Sequence, residues 1–368
     1  MRLRRTGLAA AAWATSGLLL FASVGHAAPP SAQAPVSREA PVSREAVVQR
    51  AIEGVIRPGY EQLDKAGEAE AKTFAALCAK PSAEALREAR EGFASFSEAF
   101  GAVEFIRFGP IMEGERFDRF LFWPDRREAT QRQAQIIVNR RDVDATTSDL
   151  LPRKSAAVQG LTALEYVLFG RGSDMLADRS GAFRCRYGAT IVDNLGQISD
   201  AVAEQWRDPH GISERLLKPS PSDPRFRSET DALKAILDAA ISGLRTIREE
   251  RIVPGLDARD GATAANLFLF GRSGHATAML AADLGGIRAL LEGSGLLDLA
   301  SAPAPSPGAE LGAIALSLRT LGPELGDVSE TSKGEAVLRE ALARIEAVEQ
   351  SLTTEVALAL GLPAESQP

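Results

Sequence analysis

The sequence predicts an all-α protein with two helical-bundle halves and no significant sheet. From Val47 onward, apolar residues recur at a spacing near 3.6, the period of one face of an α-helix. Long strand-like alternation of apolar and polar residues is absent from the sequence. Hydrophobic side chains make up 45% of the 368 residues and aromatic ones only 6%. This composition suits closely packed, alanine-rich helices.

The first segment, residues 1–27, has the pattern of a secretory signal peptide. Arg2, Arg4 and Arg5 form a basic start, an apolar run follows, and a small-x-Ala cleavage pattern ends at Ala27. No Cys lies near that point, so we expect no lipoprotein anchor. The apolar run is too short for a membrane helix. We therefore predict an exported chain with no stable membrane span after cleavage.

A low-complexity tether is predicted over residues 28–46, where the six residues 35–40 repeat at once as 41–46. An N-terminal bundle follows over 47–206. Pro81 stops its first helix and Ser82 caps its second. Its helices are predicted at about 44–79, 82–108, 127–141, 152–170 and 180–207.

The second half begins after a Pro-rich linker, predicted over 207–227 because this segment holds four prolines. The C-terminal bundle covers 228–362. Its helices are predicted at about 228–252, 273–293, 307–321 and 332–360.

The overall charge argues against a nucleic-acid partner. The chain carries 42 basic and 49 acidic side chains, a net charge of −7. A protein that binds phosphate backbones is usually basic.

Cys78 and Cys185 are the two cysteines of the chain. In an oxidising compartment such a pair usually becomes a disulfide, and this bridge would stabilise the fold by closing a long loop. The alternative is a pair of buried free thiols.

The most informative helix is the one predicted at 152–170, which is apolar on most faces. Ser155, Gln159, Thr162 and Glu165 would form one polar stripe on it. A buried carboxylate needs a cation, a donor or a proton, so Glu165 must meet a polar partner. Gly160 within the helix suggests close approach of another backbone.

A second charged pair, Glu104 and Arg107, shares a helix face in apolar surroundings. Arg107 could pair with Glu104 or with Glu165. The pair could be a structural ion pair or part of a ligand or metal site. Downstream, Trp123 could close a pocket or anchor a loop, and Arg126 is a further candidate for an anionic ligand.

Three segments carry a resemblance to a known family. Phe108-Gly-Pro-Ile, Phe122-Trp-Pro-Asp and Gln159-Gly-Leu-Thr-Ala-Leu-Glu-Tyr166 resemble the imelysin-like family, over roughly residues 47–360. The resemblance implies an all-helical fold of two bundle-like domains with a site near their interface. It also implies a periplasmic protein, since relatives such as iron-regulated protein A are linked to iron acquisition.

The family signature is Gly-x-His-x-x-Glu, and this chain departs from it. Gly160 and Glu165 match, whereas Thr162 stands where His is expected. His and Glu three residues apart can share one metal ion, and Thr is a poor ligand for zinc or iron. The missing imidazole therefore argues against metal binding, and more strongly against proteolysis. A metal, if bound, would be iron, calcium or zinc held by Glu165 and Glu104.

These observations favour a non-proteolytic periplasmic binding component linked to iron or metal acquisition. Its ligand would be a metal, a metal complex or a partner of an iron-uptake system. One alternative is a metallopeptidase, with Glu165 acting beside a metal-bound water. Another is a helical solute-binding or adaptor protein, in which the polar stripe only fixes helix packing.

Overall fold

The protein is all-helical throughout the part of the chain that the structure describes. The computed structural model describes residues 42–125, 127–257, 267–302, 305–322 and 331–362, and no strand occurs within these ranges. The main helices are α1 Arg44–Ala51, α2 Arg57–Ala79, α3 Ala83–Glu104, α4 Ala129–Arg140, α5 Leu161–Phe169, α6 Ala182–Arg207, α7 Glu229–Thr246, α8 Ala276–Gly293, α9 Pro307–Arg319 and α10 Ser332–Ser351. Short helices lie at Arg116–Phe120, Ile212–Leu217, Val253–Leu256, Leu296–Leu299 and Ala357–Ala359. The all-α prediction is confirmed.

Polar caps explain where several helices begin. The side chains of Ser43, Ser82, Ser228, Ser306 and Thr331 each accept a hydrogen bond from a backbone N–H of the following first turn. Those N–H groups have no partner inside the helix, so each cap stabilises its helix by about 1 kcal/mol.

π-helical turns interrupt or extend three of the predicted long helices. Ile52–Ile56 joins α1 to α2, Ile247–Ile252 extends α7, and Leu352–Val356 extends α10. The sequence predicts a continuous helix across each of these turns, over 44–79, 228–252 and 332–360.

Packing centres on α2, α3 and α8. Helix α2 packs on α3 and α6, while α8 packs on α3 and α9. Small residues allow α3 and α8 to approach closely, since a Cβ at Gly286 would lie 2.1 Å from the carbonyl oxygen of Ala102. Residues 41–368 form one compact unit, and the division into bundles at 47–206 and 228–362 stays a prediction.

The segment predicted as a linker contains regular structure. Residues 212–217 are helical, and Phe226 is buried in the core. Ser213 is also buried and donates from its hydroxyl to the carbonyl of Trp206.

The helix predicted over 152–170 is shorter than expected. Residues 151–153 and 156–158 form separate 3-10 turns, and α5 begins only at Leu161, after an extended Gly160. Ser155 caps the second 3-10 turn, so it does not continue the face of Thr162 and Glu165. The predicted polar stripe therefore consists of these last two residues.

The predicted disulfide is confirmed. Cys78 at the end of α2 is bonded to Cys185 near the start of α6, with 5.6 Å between the Cα atoms. The bridge ties together two helices that pack along most of their length.

Among the described residues, no helix combines the length and hydrophobicity needed to cross a membrane. The predicted signal peptide lies outside the described residues, as does the tether up to residue 41.

Candidate functional site

Glu165 lies on α5 with only 6% of its surface exposed. Its Oε1 accepts hydrogen bonds from the backbone N–H and the hydroxyl of Ser273, both at 2.9 Å. That hydroxyl also lies 3.0 Å from the carbonyl oxygen of Phe270, so two acceptors share it. The guanidinium of Arg272 lies 3.7 Å from Oε2. Donors from a segment more than 100 residues downstream therefore meet this carboxylate.

The protonation of Glu165 is a balance between burial and these donors. Burial raises the pKa of Glu165 above its usual range, while Arg272 and Ser273 act in the opposite direction. Desolvation favours the neutral acid, whereas the nearby cation and the two donors favour the carboxylate. Burial is the largest of these effects, and the net shift is upward.

Arg272 joins three parts of the fold at this site. Its Nη2 donates to Gln131 Oε1 on α4 at 2.6 Å, and its guanidinium lies 5.8 Å from the ring centre of Tyr166 on α5. Only 22% of the side chain is exposed. The same residue therefore positions α4 and α5 and partly neutralises Glu165.

A small pocket opens beside Glu165 and Arg272, with a volume of about 40 Å³. Thr162 and Thr130 line it, and each is at least nine-tenths buried. The hydroxyls of both threonines have no hydrogen-bond partner. Buried hydroxyls are nearly always hydrogen-bonded, so two unsatisfied ones on residues that line the same pocket favour a polar partner at this place.

Trp123 and Asp125 form another wall of this pocket. The indole N–H of Trp123 donates to the carbonyl of Glu250 at 2.9 Å, which fixes the ring. Asp125 accepts from the backbone N–H groups of Ala129 and Thr130 at 2.7 and 2.8 Å, and so caps α4. Arg126 lies outside the described residues.

Gln159 and Gly160 support the start of α5. A Cβ at Gly160 would lie 2.6 Å from the carbonyl oxygen of Phe120, which confirms the predicted close backbone approach. Gln159 Oε1 accepts from Arg119 Nε at 3.1 Å, and the Gln159 amide donates to the carbonyl of Lys154 at 2.8 Å. Neither Gln159 nor Gly160 lines the pocket beside Glu165.

Glu104 and Arg107 belong to a different cluster. Arg107 Nη2 donates to Glu104 Oε1 at 3.1 Å, and the fully buried Arg251 donates to the same oxygen. Arg107 therefore pairs with Glu104, and no ion pair between Arg107 and Glu165 occurs in the described chain. Asp283 on α8 faces Glu104, and burial together with that acid raises the pKa of Asp283 well above its usual range.

Sequence reasoning missed four residues of these clusters. Asp283 shows the same pattern as Glu165, because each is an acid within an apolar stretch of a predicted helix. Arg251 sits in a run of charges that resembles a solvated surface, and Arg272 and Ser273 follow a segment without periodicity. For these last three residues, only the tertiary contact reveals the role.

The residues at Glu165 do not fit a resident metal ion. In the described ranges, no group of three or more His, Cys, Asp or Glu side chains could hold a metal. Thr162 supplies a hydroxyl where an imidazole would be needed, and Arg272 brings a positive charge close to the carboxylate. His275 packs between Phe93 and Phe169, and burial lowers its pKa.

The chain matches a family model described as Imelysin over residues 56–362. No curated protein matches it significantly. The solved structures that resemble it include an imelysin-like protein from Psychrobacter arcticum, with a TM-score of 0.70, 17% identity, and coverage of 88% of this chain and 98% of that one. A protein from Parabacteroides distasonis, assigned as an iron-regulated protein A precursor, gives a TM-score of 0.72 and 12% identity, over 85% of this chain and 95% of that one. At these identities the likeness establishes the fold.

Proposed function

The chain belongs to the imelysin family, and from that premise we propose that it is an exported, non-proteolytic binding protein of the periplasm that takes part in iron acquisition. The relative from Parabacteroides distasonis supports the link to iron. The basic and apolar pattern of residues 1–27 supports export. Its partners would be components of an iron-uptake system.

One observation carries the binding role: the pocket beside Glu165 is lined by Thr130 and Thr162, whose buried hydroxyls have no hydrogen-bond partner. A hydroxyl can donate to or accept from a ligand oxygen, and Arg272 adds charged N–H donors at the same place. The pocket is therefore suited to the oxygen atoms of a small polar ligand.

The ligand we propose is iron held in a small complex. Bare iron would need several carboxylate, imidazole or thiolate ligands from the protein. Glu165 instead faces Ser273 and Arg272, which compete with a cation for its oxygens. In a complex the iron brings its own oxygen ligands, and the pocket of about 40 Å³ would admit one polar end of it.

The same contacts argue against peptide hydrolysis. A general base beside a metal-bound water needs a free carboxylate oxygen and three protein ligands on the metal. Here Ser273 donates to Oε1 of Glu165, Arg272 lies 3.7 Å from Oε2, and the signature position holds Thr162. We therefore expect no metal-dependent proteolysis from this site.

Isothermal titration of the purified protein tests the proposal, with ferric citrate as the complex and Fe²⁺, Zn²⁺ and Ca²⁺ as bare ions. We expect saturable heat with ferric citrate and none with the bare ions. The variant Thr162→Val should lose most of this binding, because it removes a pocket hydroxyl. Thr190→Val is the matched control, since Thr190 is also buried but bonds within α6. Absence of heat with ferric citrate, or bare-ion binding that Glu165→Gln abolishes, would refute this function.

A further inference from the structure

A second cavity, of about 310 Å³, lies between α7 and the segment that follows α3. Its walls include the aromatic and small apolar side chains of Phe105, Phe108, Phe226, Ala235 and Ala239. This volume is within the range of pockets that bind small organic molecules. None of the residues that line it belongs to the pocket at Glu165.

Two arginines line this cavity. The Arg107 guanidinium lies 4.4 Å from the ring centre of Phe117, and its Nη2 bonds Glu104. Stacking on a ring holds the planar guanidinium in place, and 31% of the Arg107 side chain is exposed. Arg225 is exposed at the cavity, and its side chain forms no hydrogen bond or ion pair with any described residue.

Each acidic residue of the cavity has a hydrogen-bond or ion-pair partner within the fold. Asp238 forms an ion pair with Lys234 at 2.6 Å. Asp231 accepts from the backbone N–H of Arg227 and from the hydroxyl of Ser228, both at 3.0 Å, at the start of α7. Among the charged side chains that line this cavity, Arg225 is therefore the one without a hydrogen-bond or ion-pair partner in the described residues.

We propose that this cavity binds an organic carboxylate with an aromatic body, with the rings against Phe105, Phe108 and Phe226 and the carboxylate between Arg107 and Arg225. Guanidinium groups bind carboxylates through paired, charge-assisted hydrogen bonds, and the aromatic walls bury the apolar part of the ligand. This site does not depend on the function proposed for the Glu165 pocket.

Titration with 2-naphthoate tests the site, and 2-naphthamide serves as a neutral ligand of the same shape. We expect one naphthoate per chain, with the amide at least tenfold weaker. Arg225→Gln should weaken naphthoate binding about tenfold, because one charge-assisted contact is lost. Arg227→Gln is the matched control, since Arg227 is exposed nearby but does not line the cavity. Arg225 is exposed, so its replacement should not disturb folding.

A further variant separates this cavity from the other pocket. Ala235→Leu should fill the cavity and abolish naphthoate binding, whereas Thr162→Val should leave it unchanged. No saturable binding of naphthoate, equal binding of the amide, or equal effects of Arg225→Gln and Arg227→Gln would each overturn the proposal.

Discussion

Ser273 donates its backbone N–H and its hydroxyl to the same oxygen of Glu165, both at 2.9 Å. The two residues are 108 positions apart in the chain. This contact fixes the buried acid of α5, which lines the candidate pocket, to the segment that leads into α8.

Replacing Ser273 by Ala should destabilise the protein by about 1–2 kcal/mol, because one donor to a buried carboxylate is lost while the backbone N–H remains. Urea unfolding followed by circular dichroism measures the change. Ser95→Ala is the control, since Ser95 is exposed and bonds only within α3, and it should change stability by less than about 0.5 kcal/mol. Equal effects of the two substitutions would argue against an energetic role for the Glu165–Ser273 contact.

Replacing Arg272 by Met should make stability more sensitive to pH. Without the cation, the pKa of Glu165 in the folded protein rises further above its unfolded value. A raised folded-state pKa means that stability is lost as pH increases through the interval between the two values. The variant should therefore be more destabilised at pH 8 than at pH 5.

The double variant Arg272→Met/Glu165→Gln is the control for this effect. It has no carboxylate at position 165, so the additional loss of stability at pH 8 should disappear. If the single variant showed the same deficit at both pH values, Arg272 would be acting through packing alone.

Glu70 provides a separate test of buried charge. It is fully buried in α2, its Oε1 has no partner, and burial raises its pKa to about 8. Because this value lies above that of the unfolded chain, the contribution of Glu70 to stability falls as pH rises from 5 to 8. Each pKa unit corresponds to about 1.4 kcal/mol, so the loss relative to Glu70→Gln is on the order of 3 kcal/mol. If the free energies of unfolding of the wild type and of Glu70→Gln changed equally between pH 5 and pH 8, the raised pKa of Glu70 would be excluded.

Two glycines that differ in their surroundings test the close packing at α5. Gly160→Ala should destabilise the protein by about 1–3 kcal/mol, because the new Cβ would meet the carbonyl oxygen of Phe120. Gly196→Ala should stabilise it by about 0.5–1 kcal/mol, since Gly196 lies inside α6 and a Cβ added there would meet no other atom within 4 Å. Thermal unfolding distinguishes the two, and a stabilising Gly160→Ala would contradict the packing described here.

The sequence predicts much of the helix content because local signals determine it. Ser82 and Pro81 mark a helix boundary close to the observed one, and burial of Glu165 follows from the apolar helix around it. The prediction that Ser155 and Gln159 share a helix face with Thr162 and Glu165 is wrong. The helix is interrupted at Gly160, and this break depends on a contact with the backbone of Phe120 that no local pattern reveals. Ser273 and Arg272 could not be assigned to Glu165, since no local pattern encodes a contact between distant segments.

Anomalous diffraction at the iron edge, from crystals soaked in ferric citrate, tests the proposed pocket most directly. We expect an iron peak beside Thr162 and Arg272, with Glu165 still hydrogen-bonded to Ser273. An iron ion ligated directly by Glu165, with Ser273 displaced, would contradict it, as would an iron peak only at a distant surface.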